Sequence, residues 1–148
     1  MVTVDAVVFA FFKSTVKLLL INRGNEPFKG QWALPGGFVE IDEELATAAA
    51  RELAEETGLT DVKLEQMHTF GKCGRDPRGR LISIAFMGIA EERLNKIEAG
   101  DDAAKVRWFD IETLPKDLAF DHSEMAAFGI RKLKSRKVYR RRVINDNG

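Results

Sequence analysis

The sequence predicts an α+β chain: a mixed sheet with one helix inserted mid-chain and another at the end. Three observations predict it. Residues 3–12 and 16–23 are runs of β-branched, aromatic and aliphatic side chains. The pattern then switches to a helical period over "DEELATAAARELAEETG". After further strand-like runs, "DHSEMAAFGIRKLKSRK" is helical again. The 148 residues suit one domain, 1–148, ending in a basic helix and tail from about residue 131.

Taken in order, "TVDAVVFAFF" reads as a largely buried strand, and "STVK" as the turn that pairs it with "VKLLLINR". "GNEPFKGQWALPGG" is a Gly- and Pro-rich loop with a short strand at its end, and "GFVE" continues extended. In the first helix Asp42 is the expected N-cap, with acids in the first turn where the dipole favours them. Gly58 is the glycine that ends this helix. Its packing face is read as Ala46, Ala50 and Leu53. "VKLEQMHTFGKC", "RLISIAFMGIAEE" and "KVRWFD" are strands, with Trp108 and Phe109 assigned to the core. "IETLP" is a turn or short helix that Pro115 stops. In the last helix Asp121 and Glu124 have the spacing of a capping box.

Composition excludes several classes. Hydrophobic residues are 45% and charged residues 31%, so the chain is a globular sequence rather than a disordered one. With one cysteine there is no intramolecular disulfide, and one Cys with two His argues against structural zinc. A reducing, cytoplasmic compartment is expected. The apolar start lacks a basic n-region, carries Asp5 and is too short to span a membrane. The zero net charge hides a split. Residues 40–65 hold nine acids against Arg51 and Lys63, whereas residues 131–142 hold eight bases and no acid.

The sharpest feature is "RELAEETG". On a helix Glu52, Glu55 and Glu56 share one face at i, i+3 and i+4, where like charges repel by roughly 0.2–0.5 kcal/mol per pair. One reading is a solvated helix face. The other is a divalent cation site, since hard oxygen ligands suit magnesium or manganese. The preceding "LPGG" favours the second, because there the backbone can approach a ligand closely. Magnesium retains waters and is typically shared with a substrate phosphate, which points to phosphoryl chemistry.

Gly37, Glu43, Arg51, Glu52, Leu53, Glu55, Glu56, Gly58 and Leu59 fill every defined position of G-x5-E-x7-R-E-U-x-E-E-x-G-U, with U a bulky aliphatic. The chain therefore resembles the Nudix hydrolases. The resemblance implies a mixed sheet sandwiched between helices, and hydrolysis of a nucleoside diphosphate linked to another moiety. It implies Glu52, Glu55 and Glu56 as ligands of Mg2+, with Mn2+ as an alternative, joined by the carbonyl of Gly36. It gives Arg51 the task of holding the glutamates, Glu43 a supporting role, and Glu40 a possible reach to a further metal. The general base is either a box glutamate or a later acid, for which Asp101 and Asp102 are the candidates.

The rest of the chain narrows the substrate. "GRDPRGR" places Arg75, Arg78 and Arg80 together, as a solvated loop or as a phosphate clamp. "NEPFKGQWALPGGFVE", "RDPRGRLISIAF", "AGDDA" and "LAFDH" resemble the bacterial and archaeal ADP-ribose pyrophosphatases. That branch implies ADP-ribose plus water giving AMP and ribose 5-phosphate, and a homodimer. Arg23 is a further phosphate candidate or a strand-end charge. Phe28 and Trp32 either stack on adenine or cover a core edge. His122 either approaches the ligand or is an exposed residue at a helix start. The alternatives are a pyrophosphatase for another nucleotide (a damaged triphosphate, an ADP-sugar or a dinucleotide) and a non-catalytic ADP-ribose sensor. Sensors of this fold tend to lose box residues, and none is missing here. The tail "RKLKSRKVYRRR" is read as a basic helix end and frayed terminus, against nucleic-acid affinity or an acidic partner. Related DNA-binding regulators carry an added winged-helix domain, for which 148 residues leave no room.

Overall fold

β1 (Val2–Phe12) is the spine of the molecule. A computed structural model describes residues 1–91 and 105–145. All but the ends of β1 is buried, because both of its faces are covered. Ala6, Val8 and Ala10 pack with Leu53 and Leu59, while Val7, Phe9 and Phe11 pack with Met125, Ala126 and Leu133. The first set lies toward α1 (Leu45–Thr57) and the second toward α2 (His122–Lys134). The sheet is thus sandwiched between helices.

The remaining strands are β2 (Thr15–Asn22), β3 (Trp32–Ala33), β4 (Gly36–Phe38), β5 (Glu65–Phe70), β6 (Ile82–Ala90) and β7 (Val106–Asp110). The main path runs β3-β2-β1-β6-β5; β4 pairs with β1 and β7 with β2. β1 and β6 run parallel along their length, and the other pairs are antiparallel, so the sheet is mixed. β6 occupies one edge of β1, so β2 and β4 share the other: β4 takes Thr3–Asp5 and β2 takes Phe9–Phe12. Between them the loop is tied down by Ala6 N–H donating to Pro35 O at 2.8 Å. This junction positions the site.

Several local expectations change. α1 begins two residues later than an Asp42 cap implies. Its N-cap is Glu44, with no side-chain cap and no acid in its first turn. Glu43 is occupied elsewhere, accepting the Glu40 N–H and Arg51. The buried face of α1 is Ala48, Ala49, Leu53 and Thr57, while Ala46 and Ala50 are exposed. Gly58 does end the helix, with φ 78°. No capping box forms at α2, because the Asp121 carboxylate is bound by Arg75. "IETLP" forms a 3-10 turn over Ile111–Thr113. The basic tail is folded as far as residue 145. α3 (Lys137–Tyr139) and a π turn at Arg140–Ile144 return Val138, Tyr139 and Val143 to the core, and Arg142 lies over the Phe11 ring. Among the described residues no helix is long and apolar enough to cross a membrane.

Candidate active site

The loop Leu34–Gly37 and helix α1 meet at a close approach that its glycines allow. Gly36 N–H donates to Glu56 Oε1 at 3.0 Å. A Cβ on Gly36 would collide with the Val4 carbonyl and the Asp5 carboxylate; one on Gly37 would collide with the Glu52 carboxylate. The loop therefore lies flat against β1 on one side and against the acidic helix face on the other.

Arg51 organises the outer carboxylates. Its Nε and Nη2 donate to the two oxygens of Glu43 at 2.6 and 2.9 Å, a two-pronged pairing. Nη1 reaches Glu52 at 2.9 Å and Glu55 at 3.3 Å, and Nη2 also reaches Phe38 O at 3.1 Å. The Arg51 hydrogen bonds hold the Glu43 carboxyl down at about 2, and Glu43 in turn raises Arg51. Glu56 is the opposite case. Burial first, and then the neighbouring carboxylates Glu52 and Asp5, push it up to about 8 against the lowering effect of the Gly36 N–H.

The donors suit a hard cation. Glu52 lies near enough to raise the Glu56 pKa, a crowding of acids that a cation would relieve. Glu55 extends outward, its side chain 58% exposed. Among the described residues no three His, Cys, Asp or Glu side chains close into a cage.

A cavity beside this loop is lined by Thr3, Asp5, Gly36, Gly37 and His122 and walled by Arg23, Arg75 and Arg78, with Asp76 among them. Both guanidiniums lie over the Phe120 ring, at 4.9 and 5.1 Å. Arg23 Nε donates to Pro27 O at 2.7 Å, and among the described residues no protein acceptor meets its Nη groups. Burial and the charge of Arg78 both lower its pKa. Arg78 forks onto Asp76, through Nε to Oδ1 at 3.0 Å and Nη2 to Oδ2 at 2.8 Å. Burial opposes the Asp76 charge, but Arg78 outweighs it and keeps the carboxyl low.

The predicted arginine loop is therefore divided. Arg75 and Arg78 both line the cavity but differ in what holds them: Arg78 is partly exposed. Arg75 is buried and bound through both prongs to Asp121, at 2.9 and 2.8 Å, with a third bond to Leu81 O. Burial works against its charge, yet Asp121 raises its pKa. Arg80 is exposed and does not line the cavity; its carbonyl accepts from the N-terminal amine. Phe28 packs edge-on to Phe120, and Trp32 packs on Phe109. Glu40 is exposed. Asp101 and Asp102 lie outside the described residues. His122, expected at a helix start, is 3% exposed and faces the site. Sequence reading gave no part to Asp5, Ser83 or Phe120. An Asp in the middle of an apolar strand was the available signal for the first.

A glycine loop locked to a helix of carboxylates lies beside an arginine-walled cavity, a donor set with the chemistry for a divalent cation and a phosphate. A NUDIX domain family model matches residues 1–128, and the chain belongs to the Nudix family. It is 48% identical over 109 residues to ADP-ribose pyrophosphatase from Methanocaldococcus jannaschii, covering 74% of this chain and 63% of that protein. It is 33% identical over 142 residues to the ADPR responsive transcriptional repressor NtrR of Acinetobacter baylyi, covering 94% of this chain and 56% of that one. The chain thus spans less than two thirds of either relative. Among solved structures, the Nudix domain of Shewanella oneidensis NrtR complexed with ADP-ribose superposes with TM-score 0.77 at 33% identity, covering 90% of this chain and 88% of that one.

Proposed function

We propose that this protein hydrolyses the pyrophosphate bond of ADP-ribose, with water, to AMP and ribose 5-phosphate, using Mg2+ or Mn2+. One observation carries the reading: a single loop joins an acidic pole to a cationic one. Gly36 binds Glu56 and also lines the cavity walled by Arg23 and Arg78. A pyrophosphate needs both, a cation shared with its oxygens and arginines for the remaining charge. The similarity to an archaeal ADP-ribose pyrophosphatase supports the choice of substrate.

Glu52, Glu55, Glu56 and the carbonyl of Gly36 would hold the cation. When bound, it polarises a phosphate oxygen and lowers the pKa of a coordinated water. Arg51 keeps Glu52 and Glu55 oriented, because the two-pronged pairing with Glu43 fixes its guanidinium plane. Arg23 and Arg78, both placed over the Phe120 ring, bind the phosphates. A carboxylate accepts the proton of the attacking water, either a glutamate of the box or Asp101 or Asp102. A homodimer and a cytoplasmic location belong to the same proposal, as does a single domain over residues 1–148.

A substrate panel tests it: ADP-ribose, ADP-sugars, dinucleotides and nucleoside triphosphates, each with magnesium and with manganese, reading AMP and phosphate products. The expected best substrate is ADP-ribose. A triphosphate preferred by about tenfold or more in kcat/KM would move the chain to nucleotide clearance. The sensor reading draws on the similarity to an ADPR responsive repressor. Tight ADP-ribose binding without turnover would select it.

A further inference from the structure

The start of α2 is wired into the glycine loop. His122 Nδ1 accepts the Leu34 N–H at 2.9 Å, a buried bond between residues 88 apart in sequence. An accepting Nδ1 places the ring proton on Nε2, which lies 3.4 Å from Asp5 Oδ1. Asp5 Oδ2 in turn accepts from Ser83 Oγ. All three side chains are buried. Burial, ahead of the opposing pull of Asp5, lowers the His122 pKa, in keeping with a neutral ring.

This chain of bonds lies directly behind the site loop. Asp5 is the register partner of Gly36 across β1 and β4, and its carboxylate occupies the space where a Gly36 side chain would project. The Leu34 amide that His122 holds is two residues before Gly36, whose own N–H holds Glu56. Asp121 fixes the start of α2 separately, through Arg75. His122 thus has one contact facing the loop and another facing the strand beneath it.

We infer that His122 is a positioning residue for the Leu34–Gly37 loop: by accepting the Leu34 N–H it aims the Gly36 backbone at Glu56 and at the cation position. This rests on the proposed function for its catalytic consequence and stands on geometry for its structural one. Without the acceptor a buried N–H is left unpaired. The loop then shifts to pair it, and small displacements at a reacting centre are costly.

The test compares His122→Ala and His122→Asn with the parent protein. Asn carries Oδ1 near the former Nδ1, so it keeps the acceptor for Leu34 and loses the contact with Asp5. In metal-free, 15N-labelled protein, Leu34 amide exchange should accelerate by about tenfold or more in the Ala variant. It should return toward the parent rate in the Asn variant, while amides in the middle of β1 keep their protection. With ADP-ribose and Mg2+, kcat should fall by about 10- to 100-fold in the Ala variant with little change in KM, and Asn should recover most of it. Should the Ala variant not fold, His122→Gln replaces it: Gln keeps a donor for Asp5 but displaces the acceptor, so it should behave as the loss. Unchanged Leu34 exchange in the Ala variant overturns the inference. Equal losses in Ala and Asn, with protection falling throughout β1, reduce His122 to a core residue and overturn it too. If the parent protein leaves ADP-ribose intact, the functional reading fails while the exchange experiment still decides the role of His122.

Discussion

Glu43 and Glu56 belong to the same acidic segment and have opposite fates. Glu43 is held at about 2 by the hydrogen bonds of Arg51. Glu56 is pushed up to about 8 by burial and by Glu52, against the Gly36 N–H, and its charge interaction with Arg23 falls short of a bond. One arginine serves the outer carboxylates, and no cationic side chain bonds to the inner one among the described residues. The comparison teaches that the segment is only half neutralised by the chain itself. The outer half builds a frame; the inner half retains a charge deficit that a divalent cation would fill.

Removing the inner carboxyl should break this contrast most severely. Glu56→Gln is expected to lower kcat by on the order of 100-fold or more, with a modest change in KM. The same substitution should raise the melting temperature of metal-free protein at pH 8, because a neutral amide there replaces a crowded carboxylate. Steady-state kinetics and thermal melts on one preparation check both signs. Next in size is Gly37→Ala, whose Cβ would displace the Glu52 carboxylate. About a 10- to 100-fold loss in kcat/KM is expected, with a near-normal fold by circular dichroism.

Arg51→Lys sharpens the outer half. An ammonium cannot serve Glu43 with two prongs and also reach Glu52, Glu55 and the Phe38 carbonyl. The melting temperature should drop by about 2–4 °C, and kcat should fall with it. The smallest effect concerns acid. A carboxyl whose folded pKa is depressed contributes stability above its unfolded value and loses it as pH falls through the folded one. The Glu43 contribution should therefore vanish between about pH 4.5 and about 2. Glu43→Gln should flatten that limb of the stability curve, as followed by urea denaturation at stepped pH.

The two halves also differed in how well they could be read from sequence. The box was legible because its residues lie on one loop and one helix, so linear spacing encodes spatial spacing. Which alanines of α1 pack was misjudged: Ala48 and Ala49 are buried rather than Ala46 and Ala50. An Ala-rich stretch carries little contrast with which to set the phase of a helix. The His122–Leu34 bond and the Arg75–Asp121 pair join distant segments, and no local pattern announces them. Arg75 and Arg78 looked equivalent in "GRDPRGR"; both line the cavity, yet Arg75 is buried against Asp121 whereas Arg78 pairs with Asp76 and stays partly exposed.

The most direct measurement is a pH titration of the Glu56 side-chain carboxyl by 13C NMR, in metal-free protein and again with saturating Mg2+. Without metal the midpoint should lie near 8. Because the folded state then keeps a proton that the unfolded chain releases near 4.5, metal-free stability should decline as pH rises from about 4.5 through about 8. Mg2+ should lower the midpoint and remove the decline. A metal-free midpoint near 4.5, or one that Mg2+ leaves in place, would contradict the claim that this carboxylate waits for a divalent cation.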